Sequence, residues 1–303
     1  MKPITNHIST QHTATAQAVL TVSSAATLEA LNNRSIIDAD VLETGRVAAL
    51  LAIKHTAQVI PHCHPVPIDH AQIMYKIEGL SIFIEASVQT VYKTGVTMEA
   101  LHGVTIAALT IFDMLKRIDG GMVISEIKLL QQKGGRQQYR DQLSKPVHAA
   151  VIVCSDSIAA GTHQDFSGKA IIGRLEKYQV LVKDYCVVPD EISLIREKVQ
   201  TLCDNNINLI LVTGGTGLGT RDITPEAIRP MLDMEIPGIA EAARSYGQER
   251  MPYSMMSRSF AGLIGATLIV ALPGSTRGAE ESMDALFPYL LHYFKVLEHP
   301  PHD

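Results

Sequence analysis

The polar segment 131–146, QQKGGRQQYRDQLSKP, is the feature that most constrains how this 303-residue chain can fold. It carries two adjacent glycines, ends at Pro146 and separates two apolar stretches, which is typical of a linker between domains. A chain of this length is long for one compact domain and comfortable for two of roughly 150 residues each. Because no internal repeat is visible across the segment, we predict two different domains, over residues 1–136 and 147–303, with a linker over 137–146.

The first half shows the period-two pattern of strands that bury one face. Ile73, Tyr75 and Ile77 alternate with polar neighbours, and apolar residues do the same over 82–88. Because Gly79 lies between the two runs, they predict a hairpin. The other predicted elements of this half are a strand over 18–22, helices over 44–59 and 97–118, and a strand over 123–132. The order strand, helix, strand, strand, helix, strand predicts an α+β domain with the ferredoxin-like arrangement.

The second half contains longer apolar runs without alternation. Residues 147–155, 207–215 and 267–274 are typical of strands buried on both faces. Further predicted elements are a strand over 180–190 and helices over 191–204, 224–233 and 275–297, with Thr224 as an N-cap. Strands that alternate with helices predict an α/β domain of three layers around an open, mostly parallel sheet. Ligands of such sheets bind at the carboxyl ends of the strands.

Composition and charge exclude several classes of protein. Hydrophobic residues make up 46% and charged residues 19%, which excludes a disordered chain, and a net charge of −5 argues against a general nucleic-acid-binding protein. The apolar run Leu263–Leu272 has about half the length that a bilayer requires, and the N-terminus lacks the apolar segment of a secretory signal. The four cysteines form no CxxC pair. We therefore expect reduced thiols and a cytoplasmic protein that binds neither nucleic acid nor membranes.

Three loops of the second half follow predicted strands and carry glycine or hydroxyl residues. They contain Ser155 and Asp156; Gly214, Gly215, Thr216 and Gly217; and Gly274 and Ser275. Glycine lets backbone N–H groups approach a phosphate closely, and a following helix adds a favourable dipole. Asp190 and Asp222 supply two carboxylates, as Mg²⁺ prefers beside phosphate oxygens. The pattern favours a Mg²⁺-nucleotide site, with tight turns and helix caps as the alternative explanation.

The motifs SDS, DFSG, PDE, GGTG, RDITPEA, EIPG and LPGS follow one another in the second half. In this order they resemble the MoaB/MogA family of molybdenum cofactor biosynthesis over nearly all of 147–297. The resemblance implies a molybdopterin-binding domain that forms trimers and adenylylates molybdopterin with ATP and Mg²⁺. It also implies catalytic and Mg²⁺-binding roles for Asp190 and Asp222, and substrate binding by the SDS, GGTG and LPGS loops.

The first half contains a local cluster, His62, Cys63 and His64, between a predicted helix and Pro65. Adjacent ligands without a second cluster fit a tetrahedral zinc site poorly. The other interpretations are a loop that presents a base or a phosphate donor, and a solvent-facing loop histidine. The residues alone leave these interpretations open.

The predicted helix 97–118 carries ionisable side chains on one face at about 100° per residue: Glu99, His102, Asp113 and Lys116. Glu99 and Asp113 are nevertheless about 21 Å apart along the axis, at roughly 1.5 Å per residue. They cannot meet in one site within one subunit by themselves. The alternatives are a helix with charged ends and a site that is completed across a subunit interface.

Five segments of the first half occur together: KHTAQVIPHCHP (54–65), KTGVTMEAL (93–101), AALTIFDMLK (107–116), MVISEIKLL (122–130) and KGG (133–135). They resemble the MoaC family of cyclic pyranopterin monophosphate synthases over roughly 40–136. The resemblance implies a lyase-type rearrangement of a cyclised guanosine triphosphate derivative with loss of pyrophosphate, in hexamers with sites at dimer interfaces. The implied catalytic residues are Asp113 and Lys116, and the implied substrate-binding residues are Lys54, His62, Cys63, His64, Met98 and Glu99.

Two positions depart from the MoaC pattern. Asp38 replaces the lysine of a Lys-Gly-Asp segment, and Thr97 replaces an acidic residue before MEAL. A carboxylate repels a polyphosphate that a cation would attract. Three hypotheses stay open: both halves are catalytic, only the second half is catalytic while the first serves assembly or binding, or the whole chain is a molybdopterin-binding scaffold. Since both resemblances imply threefold symmetry, we expect a homo-oligomer, a trimer or a hexamer, that binds pterins and nucleotides.

Overall fold

A computed structural model describes residues 1–32, 40–135, 138, 141–178 and 180–298. They form two units, Met1–Tyr139 and Arg140–Asp303, each with its own sheet and core. Asp38, the first departure from the MoaC pattern, lies outside the described residues. All four cysteines are described, and all four are free thiols, as predicted.

Within the described residues, the first unit is built from four strands and three helices. In chain order these are β1 (Thr10–Thr21), α1 (Ala25–Asn32), α2 (Val41–Val59), β2 (His70–Glu78), β3 (Ser81–Tyr92), α3 (Thr97–Leu115) and β4 (Val123–Gly134). The strands pair antiparallel in the order β2-β3-β1-β4. The predicted hairpin is present, and its turn uses Gly79 at φ +56°, a conformation that glycine adopts without strain. The short helix α1 was not predicted.

The core of the first unit lies between the sheet and the pair α2 and α3. The two helices approach closely because Gly103 of α3 faces Ile53 of α2, where a Cβ would lie 2.7 Å from Ile53 Cγ1. By length and composition alone, α3 is apolar enough to cross a membrane, with a mean hydropathy of 1.4. In the structure its residues Val104, Ala108 and Ile111 are fully buried in the core of the unit.

The second unit is an α/β domain with a mostly parallel sheet, as predicted. In chain order its elements are β5 (Val147–Cys154), α4 (Asp156–Ala159), α5 (Ser167–Leu175), β6 (Val180–Val188), α6 (Ile192–Asp204), β7 (Leu209–Thr213), α7 (Thr224–Ile228), β8 (Met234–Glu235), α8 (Pro237–Gln248), β9 (Phe260–Ile264), β10 (Thr267–Leu272), α9 (Thr276–Leu286) and α10 (His292–Glu298). The strand order is β6-β5-β7-β10-β9-β8. β5, β6, β7 and β10 run parallel to one another. β9 pairs antiparallel with β10, and β8 pairs antiparallel with β9.

Helices cover both faces of this sheet. Ile152 of β5 shares a core cluster with residues of α6 and α7. Val153, the next residue, points to the opposite face, where a Cβ at Gly168 of α5 would lie 2.7 Å from its Cγ2. Successive residues of a strand point to opposite faces, so the unit has three layers.

Two local predictions for the second unit are wrong. The predicted helix 275–297 is interrupted, because α9 ends at Leu286 and Phe287 is extended before Pro288, which disfavours helical conformation in the residue before it. Thr224 is not the N-cap of α7; that position belongs to Ile223 and has no side-chain bond. Thr224 is buried, and its hydroxyl donates to the carbonyl oxygen of Gly214 at 2.9 Å instead.

Candidate functional site

The SDS, GGTG and LPGS loops (residues 155–157, 214–217 and 272–275) meet at one edge of the second unit. The chain leaves β5 towards β6 on one side and returns to β7 on the other, which opens a crevice at the carboxyl ends of β5 and β7. Gly214 lies at φ +102°, and a Cβ there would overlap the carbonyl oxygen of Cys154. A Cβ at Gly274 would lie 3.0 Å from Gly214 Cα. Only glycines allow the three loops to pack this closely.

Asp156 and Asp190 bind each other through reciprocal hydrogen bonds. The backbone N–H of Asp190 donates to Asp156 Oδ1 at 2.9 Å, and the backbone N–H of Asp156 donates to Asp190 Oδ2 at 3.1 Å. Arg221 completes the group, with Nε and Nη2 at 2.8 and 2.6 Å from Asp156 Oδ2. The Asp190 N–H and the Arg221 guanidinium hold the pKa of Asp156 below its ordinary value. We call Asp156, Asp190, Arg221 and Asp222 the acid cluster.

Asp190 keeps one carboxylate oxygen without a protein donor. Only 9% of the residue is exposed, and its Oδ1 is buried with no hydrogen-bond partner. That oxygen points towards Gly215, where a Cβ would lie 3.2 Å from it. Burial raises the pKa of Asp190. An unsatisfied buried carboxylate oxygen is costly, and a cation or a donor from a ligand would satisfy it.

Asp222 organises the loop that follows the GGTG motif. Its Oδ2 accepts a hydrogen bond from Gly219 N at 2.7 Å. Arg258 fixes the same loop, because its guanidinium donates to the carbonyl oxygens of Gly217 and Asp222. Arg258 was not predicted from the sequence. It lies in the segment 234–264, where no helix or strand was predicted and EIPG is the one motif.

The donor set of the acid cluster fits Mg²⁺ bound together with a phosphate. Within the described residues, no group of three or more His, Cys, Asp or Glu side chains could hold a metal ion. Mg²⁺ needs only one or two carboxylates when phosphate oxygens and water complete its shell. Burial raises the pKa of Asp190 most, and the Asp156 and Asp222 carboxylates raise it further, so Asp222 adds negative charge to this cluster.

A cavity of about 500 Å³ lies beside the GGTG and LPGS loops. Four predicted substrate-binding residues line it: Thr216, Gly217, Gly274 and Ser275. Ser275 also caps α9, where its Oγ accepts from Gly278 N at 3.2 Å. Residues between Met251 and Ser257 form another wall, which the sequence analysis did not predict. The lining does not include four other predicted substrate-binding residues: Ser155, Asp156, Gly214 and Gly215. Ser155 is the N-cap of α4.

In the first unit, the 62–64 loop lies beside the N-terminal end of α3. Burial raises the pKa of the Cys63 thiol, and the neighbouring Glu99 carboxylate raises it further. The thiol is therefore held in its protonated form, which is a poor nucleophile. His64 Nε2 lies 2.8 Å from the carbonyl oxygen of Lys2. His62, Lys54 and Met98 are exposed.

Asp113 and Lys116 lie at the other end of α3. Their side chains form an ion pair with Lys116 Nζ 2.5 Å from Asp113 Oδ1. Lys116 lowers the pKa of Asp113. Glu99 shares their face of α3 by helical spacing but differs in environment, because Glu99 is buried at 4% exposure whereas the Asp113 side chain is 71% exposed. Within one chain, the structure does not bring this pair to the 62–64 loop.

Asp40, the last residue of the segment that departs from the MoaC pattern, has a structural role. It is the N-cap of α2, and its Oδ1 accepts from Glu43 N at 3.1 Å. An aspartate is a favoured N-cap because its short side chain satisfies a free N–H of the first turn.

Comparison with known proteins places each unit in a family. The MoaC family model matches residues 1–135, and the model described as "Probable molybdopterin binding domain" matches residues 150–292. A molybdenum cofactor biosynthesis bifunctional protein from Chlorobaculum tepidum is 37% identical over 91% of this chain and 88% of its own.

Two further relatives each match one half. A cyclic pyranopterin monophosphate synthase from Nitratidesulfovibrio vulgaris is 43% identical over 42% of this chain and 80% of its own. A molybdopterin adenylyltransferase from Helicobacter pylori is 37% identical over 47% of this chain and 82% of its own.

Proposed function

Because this chain belongs to the family of bifunctional molybdenum cofactor biosynthesis proteins, we propose that its two units catalyse two different reactions. The first unit, which we assign to the ferredoxin-like fold, converts a cyclised guanosine triphosphate derivative to cyclic pyranopterin monophosphate and pyrophosphate. The second unit binds molybdopterin and adenylylates it with ATP and Mg²⁺. The predicted domain limits, 1–136 and 147–303, are part of this proposal.

The adenylylation proposal rests on one observation, the unpaired Oδ1 of Asp190 beside the glycines of the GGTG loop. Asp190 and Asp222 would hold Mg²⁺, which would neutralise charge on the ATP phosphates. The backbone N–H groups of the GGTG loop would bind phosphate oxygens. Phosphoryl and nucleotidyl transfer ask the protein mainly for such positioning and charge neutralisation.

The synthase proposal rests on the Asp113–Lys116 pair. A carboxylate and an ammonium in contact can exchange a proton with a substrate bound beside them. The 62–64 loop and Glu99 would bind the substrate in the same site. Because they lie at the opposite end of α3, the site would combine Asp113 and Lys116 of one subunit with the loop of a second subunit.

We further propose a cytoplasmic homo-oligomer, a trimer or a hexamer, that acts on pterins and nucleotides. The first unit exposes large apolar side chains on α2 and α3, among them Val47 and Leu51 of α2 and Leu109 of α3, which assembly would cover. Light scattering on the purified chain tests this, and a monomer or a tetramer would contradict it.

A second candidate function follows from Asp38 and Thr97. In it, the first unit binds or assembles but does not turn over, because the lysine of the MoaC pattern is missing. The deciding experiment gives the purified chain the cyclised guanosine triphosphate derivative, and separately molybdopterin with Mg-ATP, and measures pyrophosphate in both. We expect release in both reactions; release only in the second establishes the second candidate.

A further inference from the structure

The cavity beside the GGTG loop differs chemically from the acid cluster. Its lining includes Leu218 and the segment Met251–Ser257 but neither Asp156 nor Asp190. The two regions are therefore separate parts of the same edge of the sheet. One can hold the phosphates while the other holds a different part of a ligand.

The walls of the cavity suit the faces of a planar ring. Leu218 and Tyr253 line it although they are 69% and 72% exposed, and Met251 and Met256 add two thioethers. Large apolar side chains held in solvent at the mouth of a cavity mark a surface that a ligand covers. Aromatic and thioether groups bind heteroaromatic rings by stacking and by sulfur contacts.

In the described part of the chain, the cavity lining contains one carboxylate and one guanidinium, Glu281 and Arg277, which form an ion pair. Among the described residues that line it, Glu281 alone carries a negative charge. Arg277 fixes Glu281, because Nε of Arg277 lies 2.8 Å from Glu281 Oε1. The Glu281 side chain is only 17% exposed, so it has a defined position on the wall. A carboxylate accepts several hydrogen bonds and can donate none when ionised.

We propose that Glu281 recognises the 2-amino-4-oxopyrimidine edge of a pterin, which rests on the proposed molybdopterin-binding function. That edge presents two adjacent donors, the ring N–H and the amino group. They match the two carboxylate oxygens, since Oε1 can accept a second hydrogen bond beside the one from Arg277. Adenine presents an amino donor beside a ring acceptor, whose lone pair a carboxylate repels. The cavity therefore binds the pterin, and the adenine of ATP binds elsewhere. Arg277 positions the Glu281 carboxylate.

The test is a binding titration on the full chain with 6-hydroxymethylpterin, followed by the fluorescence of the pterin itself. Glu281→Gln keeps the size of the side chain but replaces one acceptor by a donor. We expect it to weaken pterin binding by at least about 10-fold, because unmatched buried polar groups discriminate strongly. Glu280→Gln is the matched control on the same helix, since Glu280 faces Arg174 and does not line the cavity. It should leave pterin binding unchanged, and both variants should leave Mg-ATP binding in calorimetry unchanged.

The possible results separate the sources of the ligand. Guanosine monophosphate carries the same edge on a different ring, and we expect it to compete less well than the pterin. If it binds more tightly, the cavity belongs to a guanine nucleotide and the assignment is overturned. Unchanged pterin binding in Glu281→Gln overturns it as well, and a normal melting curve shows that the variant is folded.

Failure of this inference is distinguishable from failure of the proposed function. If Glu281→Gln binds pterin normally while the wild-type chain still releases pyrophosphate from ATP and molybdopterin, the adenylylation stands without the Glu281 contact. If pterin binding depends on Glu281 but ATP is never consumed, the pterin site stands and the adenylylation fails.

Discussion

The two units place their candidate residues in different ways. In the second unit, loops after four parallel strands end at one edge of the sheet, so residues from 155 to 275 meet within one chain. In the first unit, the candidates lie at the two ends of α3, about 21 Å apart at roughly 1.5 Å per residue. A parallel sheet gathers its loops at one edge, whereas a single long helix separates the residues at its ends. Under the proposed function, the first unit would therefore need a second copy to complete its site, whereas the candidate residues of the second unit already meet within one chain.

The largest effect is expected in the second unit, from Asp222→Asn. The change removes a negative charge from the acid cluster and should lower adenylylation by at least about 10²–10³-fold. Pterin binding should survive, because the pterin cavity is separate. Pyrophosphate release and a pterin titration measure the two effects.

Asp233→Asn is the matched control for that variant. Asp233 Oδ2 accepts from Gly265 N at 2.7 Å, as Asp222 Oδ2 does from Gly219 N, but outside the loops of the site. It should retain full activity. If Asp222→Asn loses pterin binding and the wild-type chain never consumes ATP, the second unit is a binding module.

In the first unit, Lys116→Ala should remove the proton transfer at one end of α3. We expect a loss of about 10²-fold or more in cyclic pterin formation, with folding retained because the pair is exposed. Lys128→Ala is the control, since Lys128 forms a similar exposed ion pair with Glu126. Unchanged turnover in Lys116→Ala would show that the chemistry lies elsewhere.

Gly214→Ala tests the close packing of the loops at the candidate site of the second unit. Its φ of +102° and the overlap with Cys154 should cost about 2–4 kcal/mol in the free energy of unfolding. Gly173→Ala in α5 meets nothing within 4 Å and should stabilise by about 0.5–1 kcal/mol. Urea unfolding followed by circular dichroism measures both, and equal stabilities would refute the packing argument.

A smaller, pH-dependent effect is expected in the first unit from Asp119. Its carboxylate accepts from the hydroxyl and N–H of Ser23 and from Thr27 Oγ1, which lowers its pKa to about 2. Because the folded pKa is depressed, the stabilisation is present above the ordinary value of 3.8 and is lost as the pH falls towards 2. Thermal unfolding from pH 6 to about pH 2 should show this loss, and Asp119→Asn should show a weaker pH dependence. Parallel curves would contradict the assignment.

The spacing of hydrophobic residues and the positions of glycines in the sequence predicted most of the elements of the second unit and the loops of its candidate site. Strands buried on both faces leave long apolar runs, and the parallel order then requires their loops to share an edge. In the segment 234–264, β8 has two residues and β9 has five, too few to show a hydrophobic period, and the twelve-residue helix α8 between them was not predicted. Tertiary contacts account for other features that the local sequence pattern could not predict. Thr224 bonds to Gly214 instead of capping α7, and Glu99 is buried although it shares a face of α3 with the exposed Asp113, which helical periodicity cannot predict.

Subunit mixing tests most directly whether the site of the first unit combines two subunits while the site of the second unit lies within one. Lys116→Ala and His64→Ala chains are unfolded, mixed in equal amounts and refolded, and cyclic pterin formation is measured. In an isologous dimer, half of the pairs are mixed and one of their two sites is intact, so about a quarter of wild-type activity should return. Asp190→Asn mixed with Asp222→Asn should recover no adenylylation, because both residues serve the same chain. No recovery in the first mixture, or recovery in the second, would contradict the account.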